Sequence, residues 1–99
     1  MINPDTPEEA AIRAAAGERA VQSYRLKREA DAAEAALAAA CMAEFKGLRS
    51  HLYEQWDLGG REAFAQVPGQ ATVAVSAHVM DLLRASDRAF RVFLNARNE

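Results

Sequence analysis

Proline is absent from Glu8 to Val67, and over that stretch apolar residues recur at helical rather than alternating spacing. Ala30, Leu37, Cys41, Phe45, Leu48, Leu52 and Trp56 fall within about 100° of arc and form one stripe. Ile12, Ala16 and Ala20 continue it toward the N-terminus with smaller side chains. Thr6-Pro7-Glu8-Glu9 opens the pattern with a hydroxyl at the N-cap, proline at the first helical position and glutamate at the third, a capping box. Gly17 and Gly47 each cost about 1 kcal/mol against alanine, but no proline or polar cluster backs either one. The first turn signal is Gly59-Gly60, where Gly59 can take the left-handed cap conformation. The pattern predicts a first helix over about 7–58, ending near Leu58.

Val75, Val79, Leu82, Leu83, Phe90, Phe93 and Leu94, with Ser86 among them, predict a second helix over about 73–97. The two stripes should face each other in an all-α, long helical hairpin that occupies 1–99 as a single domain. In the intervening loop, 59–72, Val67-Pro68-Gly69 punctuates the chain. Arg61 to Gln66 fit a short helical turn that tucks Phe64 under the hairpin, and Ala71 to Val75 fit an extended segment as well as a helix start.

An unbroken first helix would run about 78 Å, and the last helix reaches only about half of that. A break at Gly17, or between Ser23 and Arg28, would instead give a three-helix bundle. Tyr24, Met42 and Tyr53 lie off the main stripe, on a neighbouring line. A second apolar line needs a second partner surface, so the expectation is a self-associating homo-oligomer in which these three residues take part.

Composition narrows the reading. The hydrophobic fraction is 51%, but 23 of the residues are alanine, which supports helix and buries little. Net charge is −2 with the signs interleaved, so no long-range field draws the chain to nucleic acid or acidic membrane. Cys41 is the only cysteine, which excludes an internal disulfide and a Cys-based zinc site. The opening MINPDTPEEAAIR is acidic, without the apolar core of a signal peptide, and no apolar run approaches the ~18 residues of a membrane span. A cytoplasmic helical domain without membrane contact is the expectation.

Candidate chemistry is sparse. Arg84, Arg88 and Arg91 fall on one side of the last helix and could hold phosphates or an acidic partner, with Asp81 and Asp87 within helical reach as pairing carboxylates. Tyr24, Arg25, Lys27 and Arg28 form a short aromatic and basic cluster of the kind that binds single strands or a nucleotide, though Glu29, Asp31 and Glu34 follow at once. His51 and Glu54 are spaced as two ligands on one helix face, but His78 is the only other histidine. Cys41, on the apolar stripe, reads as a small hydrophobe. No metal, cofactor or catalytic residue is expected.

Trp56-Asp57-Leu58-Gly59 resembles the WXG-type secreted hairpins in that tetrapeptide, in size and in helix order. It departs from them in the Trp-to-Gly spacing, in Pro68, and in lacking a Tyr-x-x-x-Asp/Glu export tail. Leu82 to Arg91, LLRASDRAFR, resembles the last helix of phage proteins that sponge cyclic oligonucleotides, without that family's Met-Trp pair. Neither resemblance assigns the chain to a family. The function expected is a non-enzymatic protein–protein interaction module: an adaptor, an assembly component or an inhibitor that occludes a partner surface, of which a phage-type host-defence inhibitor is one form. The alternative is an anion-binding module for nucleic acid or a nucleotide through the arginine clusters.

Overall fold

Helix in the first half of the chain is interrupted twice, each time at or beside a glycine. The computed structural model describes residues 5–57 and 60–97, apart from the side chains of 56, 57, 60 and 61. Its elements are α1 (Pro7–Ala16), α2 (Glu18–Phe45), a short 3₁₀ turn (Arg49–His51), β1 (Leu52–Asp57), β2 (Gly60–Ala65), β3 (Val73–Ala74) and α3 (Ala77–Arg97). The described residues are mostly helical, as expected, but they form three helices with a small antiparallel sheet ordered β1-β2-β3 rather than an all-α hairpin. The single helix expected over 7–58 is two helices, a turn and a strand, and the expected cap at Gly59 and end at Leu58 lie outside the described residues. The helical turn expected over 61–66 is strand, and the last helix begins at Ala77 rather than near Val73.

The first break is a single residue. Gly17 has φ 89 and ψ −175, a region essentially closed to residues with a Cβ. Its N–H donates to the carbonyl of Arg13 at 3.0 Å and closes α1, while its own carbonyl accepts from Val21 at 3.3 Å and opens α2. At the second break Lys46 takes the left-handed conformation, φ 54 and ψ 41, with its N–H donating to the Met42 carbonyl at 3.1 Å. Gly47 is buried immediately beyond, where an added Cβ would lie 2.7 Å from the Phe45 ring and 2.7 Å from Val67. The chain leaves α2 by passing beneath the Phe45 ring, and only glycine fits that path.

The β1–β2 hairpin pairs Leu52 with Ala65, Tyr53 with Phe64 and Glu54 with Ala63. The two-residue period puts Ala63 and Ala65 on one face, 2% and 1% exposed, and Tyr53 and Phe64 on the other, where their rings stack at 5.6 Å. α3 is started by Ser76, whose hydroxyl accepts from Val79 N–H at 3.2 Å and whose own N–H donates to Glu44 at 2.9 Å.

One apolar cluster joins these pieces: Leu37, Cys41 and Phe45 from α2, Ala65 from the sheet, Val79 and Leu83 from α3. α2 and α3 pack antiparallel, since Glu44 meets the start of α3 while Ala30 lies beside Phe93 near its end. The stripe facing α3 is as expected over Leu37, Cys41 and Phe45, but Leu48 is 56% exposed, because the helix has already ended. α1 folds back on the N-terminal half of α2. The result is elongated, 52 × 28 × 26 Å with a radius of gyration of 17.3 Å, against about 13 Å for a compact chain of this size.

Candidate functional site

The expected candidates are separated by the fold, and a different feature emerges between α2 and α3. Arg84, Arg88 and Arg91 all stand exposed on α3 and, with Asp87, line a shallow concavity of about 200 Å³. Asp87 is not their counter-ion. Its carboxylate accepts from Arg49 at 2.8 Å, across from the turn that follows α2. None of the three ridge arginines forms an ion pair with a described residue.

The cluster at Tyr24–Arg28 is dispersed. Arg25 turns to α1, where it pairs with Glu9 and reaches Asp5 at 2.7 Å. Lys27 holds Asp31 at 3.0 and 3.1 Å. Only Arg28 stays with Tyr24, its guanidinium carbon 5.9 Å from the ring centroid. Spacing of 3.6 residues per turn explains this: neighbours in sequence point a quarter-turn or more apart. Tyr24, Met42 and Tyr53 do not share a line either, because Tyr53 lies on β1 and stacks on Phe64. Met42 is 51% exposed and Tyr24 half-buried.

His51 is on the 3₁₀ turn, its Nδ1 accepting from Leu48 N–H at 2.9 Å, and Glu54 is on β1, so they share no helix face. Among the described residues no group of three metal-ligating side chains comes together. Cys41 is buried, and burial first, then the nearby Glu44 carboxylate, pushes its thiol up, which leaves it a poor nucleophile. Among the described residues no helix is long and apolar enough to cross a membrane.

Sequence reasoning missed two features. The first is a cleft of about 320 Å³ between α2 and α3. Ala30, Phe90 and Phe93 form its apolar part, the Lys27–Asp31 and Arg49–Asp87 pairs stand at its edges, and Glu34 lines it as well. Phe90 lies within about 20° of Val79 on the helical wheel, so periodicity places it in the core. It is nevertheless 54% exposed, while Val79 is fully covered. The reason is opposite it on α2: alanine at Ala30 and charged side chains at Lys27, Asp31 and Glu34 supply nothing large and apolar to cover the ring. Phe93, 6.4 Å away centroid to centroid, is buried, with Arg97 over its ring at 5.6 Å.

The second is the polar clamp that holds α1. Asp5 accepts from Arg13 at 2.7 and 3.1 Å and from Arg25 at 2.7 Å. Glu9 completes the capping box with Thr6 and pairs with Arg25, although it is only 8% exposed. Arg13 also pairs with Glu18 at the start of α2. The bond from Arg13 chiefly, and the charge of Arg25, hold the Asp5 carboxyl below its ordinary value. The Thr6 N–H and then Arg25 do the same for Glu9. The signal for this clamp was present as acidic residues at 5 and 9 and an arginine at 25, but they are seen as partners only once the chain reverses at Gly17.

Compared with known proteins, the chain matches no family model, no curated protein and no solved structure.

Proposed function

We propose that this chain is a non-enzymatic protein–protein interaction module that self-associates and acts as an adaptor, an assembly component or an inhibitor occluding a partner's surface. The observation that carries this reading is the half-exposed Phe90, placed on the core side of α3 and left uncovered beside the cleft at Ala30 and Phe93. An exposed apolar side chain alone is ordinary. An aromatic ring at the mouth of a preformed cleft, flanked by exposed ion pairs, has the make-up of an interface anchor with a polar rim. A phage-type host-defence inhibitor remains one setting for such a module.

The test is affinity capture from the native host, run in parallel with the parent, with Phe90→Glu, and with Arg84, Arg88 and Arg91 all changed to glutamine. A partner held by the parent and the arginine variant but lost by Phe90→Glu supports the reading. Light scattering at micromolar concentration should give a mass at least twice 10.8 kDa. A monomer at every dilution overturns the self-associating part.

A second reading is an anion-binding module for nucleic acid or a nucleotide. What favours it is the set of Arg84, Arg88 and Arg91 around one concavity, with Asp87 engaged by Arg49 instead. A mobility shift with nucleic acid that weakens steeply with salt, and is lost in the arginine variant, would favour this reading over the first.

A further inference from the structure

α1 is held to α2 by the polar clamp around Asp5, Glu9 and Arg25. It packs on the side of α2 away from α3: Val21, fully buried in the α1-bearing half of α2, sits about 160° around the helix from Leu37. α1 runs antiparallel to α2, because Asp5 and Glu9 reach Arg25 whereas Arg13 reaches Glu18. The join is Gly17 alone, with helix ending at Ala16 and resuming at Glu18. Nothing lies within 4 Å of a Cβ added to Gly17, so only its torsions, φ 89 and ψ −175, resist a larger side chain. The flanking residues, Ala14, Ala15, Ala16, Glu18, Arg19 and Ala20, are all strong helix formers.

The two torsions of Gly17 are thus what separates the folded-back arm from one helix running from Pro7 to Phe45, about 58 Å long. We propose that α1 is an exchangeable arm, and that two copies of the chain assemble by exchanging it. In the exchanged dimer Gly17 is helical, α1 continues α2, and each α1 lies antiparallel on α2 of the other copy. Arg25 of one copy then holds Asp5 and Glu9 of the other, over the same buried Val21. The proposal rests on the self-association reading above and gives it a geometry. The occupant follows from the surface itself: in the folded chain it receives α1, and a second copy of this chain brings the same capping box, carboxylates and helix face. The arrangement closes as a two-fold dimer, because each copy offers one arm and one receiving face.

Alanine at position 17 disfavours the closed form and favours the merged helix, so it acts on both sides of the equilibrium. Light scattering across micromolar concentrations, on the full chain, tests this with three variants. Gly17→Ala should lower the dimer dissociation constant at least about tenfold, equivalent to about 1.4 kcal/mol. Its helical circular-dichroism signal should not fall; a fall overturns the proposal, since a merged helix only adds helical residues. Insertion of Gly-Ser-Gly after Gly17 should leave a monomer at concentrations where Gly17→Ala is dimeric, because a long flexible hinge removes the merged helix. Adding Arg25→Ala to Gly17→Ala should return the dissociation constant toward or above the parent's: alanine at 17 leaves the arm of the free chain extended, so in that variant the contacts of Arg25 with Asp5 and Glu9 form only in the dimer.

A Gly17→Ala chain no more dimeric than the parent overturns arm exchange. So does a dimer that survives both Arg25→Ala and the insertion, in which case the copies meet elsewhere and the self-association reading stands. A parent that stays monomeric while Gly17→Ala forms an Arg25-dependent dimer supports arm exchange and removes self-association of the parent at those concentrations.

Discussion

Around Leu37, Cys41 and Phe45, α2 is held by apolar burial against α3 and the sheet; around Val21 and Arg25 the same helix is held by a charged clamp and a glycine hinge. Burial does not depend on pH and is strengthened rather than screened by many salts. The clamp depends on ionised carboxylates and is weakened by salt where it meets water. One helix therefore has a stable half and a conditionally held half, and the boundary runs along its length rather than between domains.

The sharpest way to break the comparison is in the core. Phe45→Ala should cost about 3–5 kcal/mol by urea unfolding, as lost transfer energy plus a cavity, and Phe93→Ala a similar amount. A Phe45→Ala chain that unfolded with the parent would mean the cluster is not what holds that half. Gly47→Ala should cost about 1–3 kcal/mol, since the new methyl meets the Phe45 ring and Val67 at 2.7 Å. If it were neutral by the same measurement, the passage under Phe45 would not be tight.

At the other end the effect should be local. Arg25→Ala removes the contacts to Asp5 and Glu9 and leaves a nearly buried carboxylate without its arginine. Amide exchange in α1 should speed up at least about tenfold, while amides near Leu37 and Cys41 keep their protection. Equal losses at both ends would show the two halves to be one cooperative unit.

Acid should act in the same direction. The carboxyls of Asp5 and Glu9 sit below their ordinary values in the folded chain, so their contribution is present above the ordinary carboxylate range and is lost as pH falls through the depressed values. The charged groups around them are Arg13 on α1 and Glu18 and Arg25 on α2, and both arginines stay charged throughout. Protection of α1 amides should hold from neutrality to about pH 4 and fall below it, before the core half opens. Simultaneous loss of both halves in an acid titration followed by NMR would contradict this. The smallest effect belongs to the arginine ridge. Changing Arg84, Arg88 and Arg91 to glutamine should move stability by no more than about 0.5 kcal/mol, because the three are exposed. A larger loss on thermal melting would reveal a structural role for the ridge.

Local signals made two features legible, one in each half. Thr6-Pro7-Glu8-Glu9 states the start of α1 outright, and the spacing of Val79, Leu83, Ser86 and Phe93 states the buried face of α3. The break at Gly17 was legible as an alternative but not as a certainty, since one glycine among helix formers is compatible with either outcome. The hairpin was hidden. Arg61 to Ala65 contains glutamate and two alanines, which favour helix on their own, and only cross-strand pairing and burial against α2 and α3 make them a strand. Leu48, Leu52 and Trp56 happen to continue a helical period, which carried the first helix past its true end at Phe45. Gly47 looked like a small penalty inside a helix because the ring it must clear is set by tertiary contacts with Val67. Phe90 was placed in the core by its own helix. Its exposure follows from what α2 lacks across from it, which is information held by a different part of the sequence.

The alanines at 63 and 65 have a consequence for errors during folding. Methyl groups fill those positions almost out of reach of water, 2% and 1% exposed, and Ala65 belongs to the cluster with α2 and α3. Slipping β2 by one residue would turn Glu62 and Phe64 toward the helices in their place. A carboxylate and an aromatic ring would then replace two covered methyl groups, at the cost of burying a charge and of overpacking. Side-chain size at two alanines thus penalises a slipped register, in addition to whatever the ladder of the hairpin itself contributes.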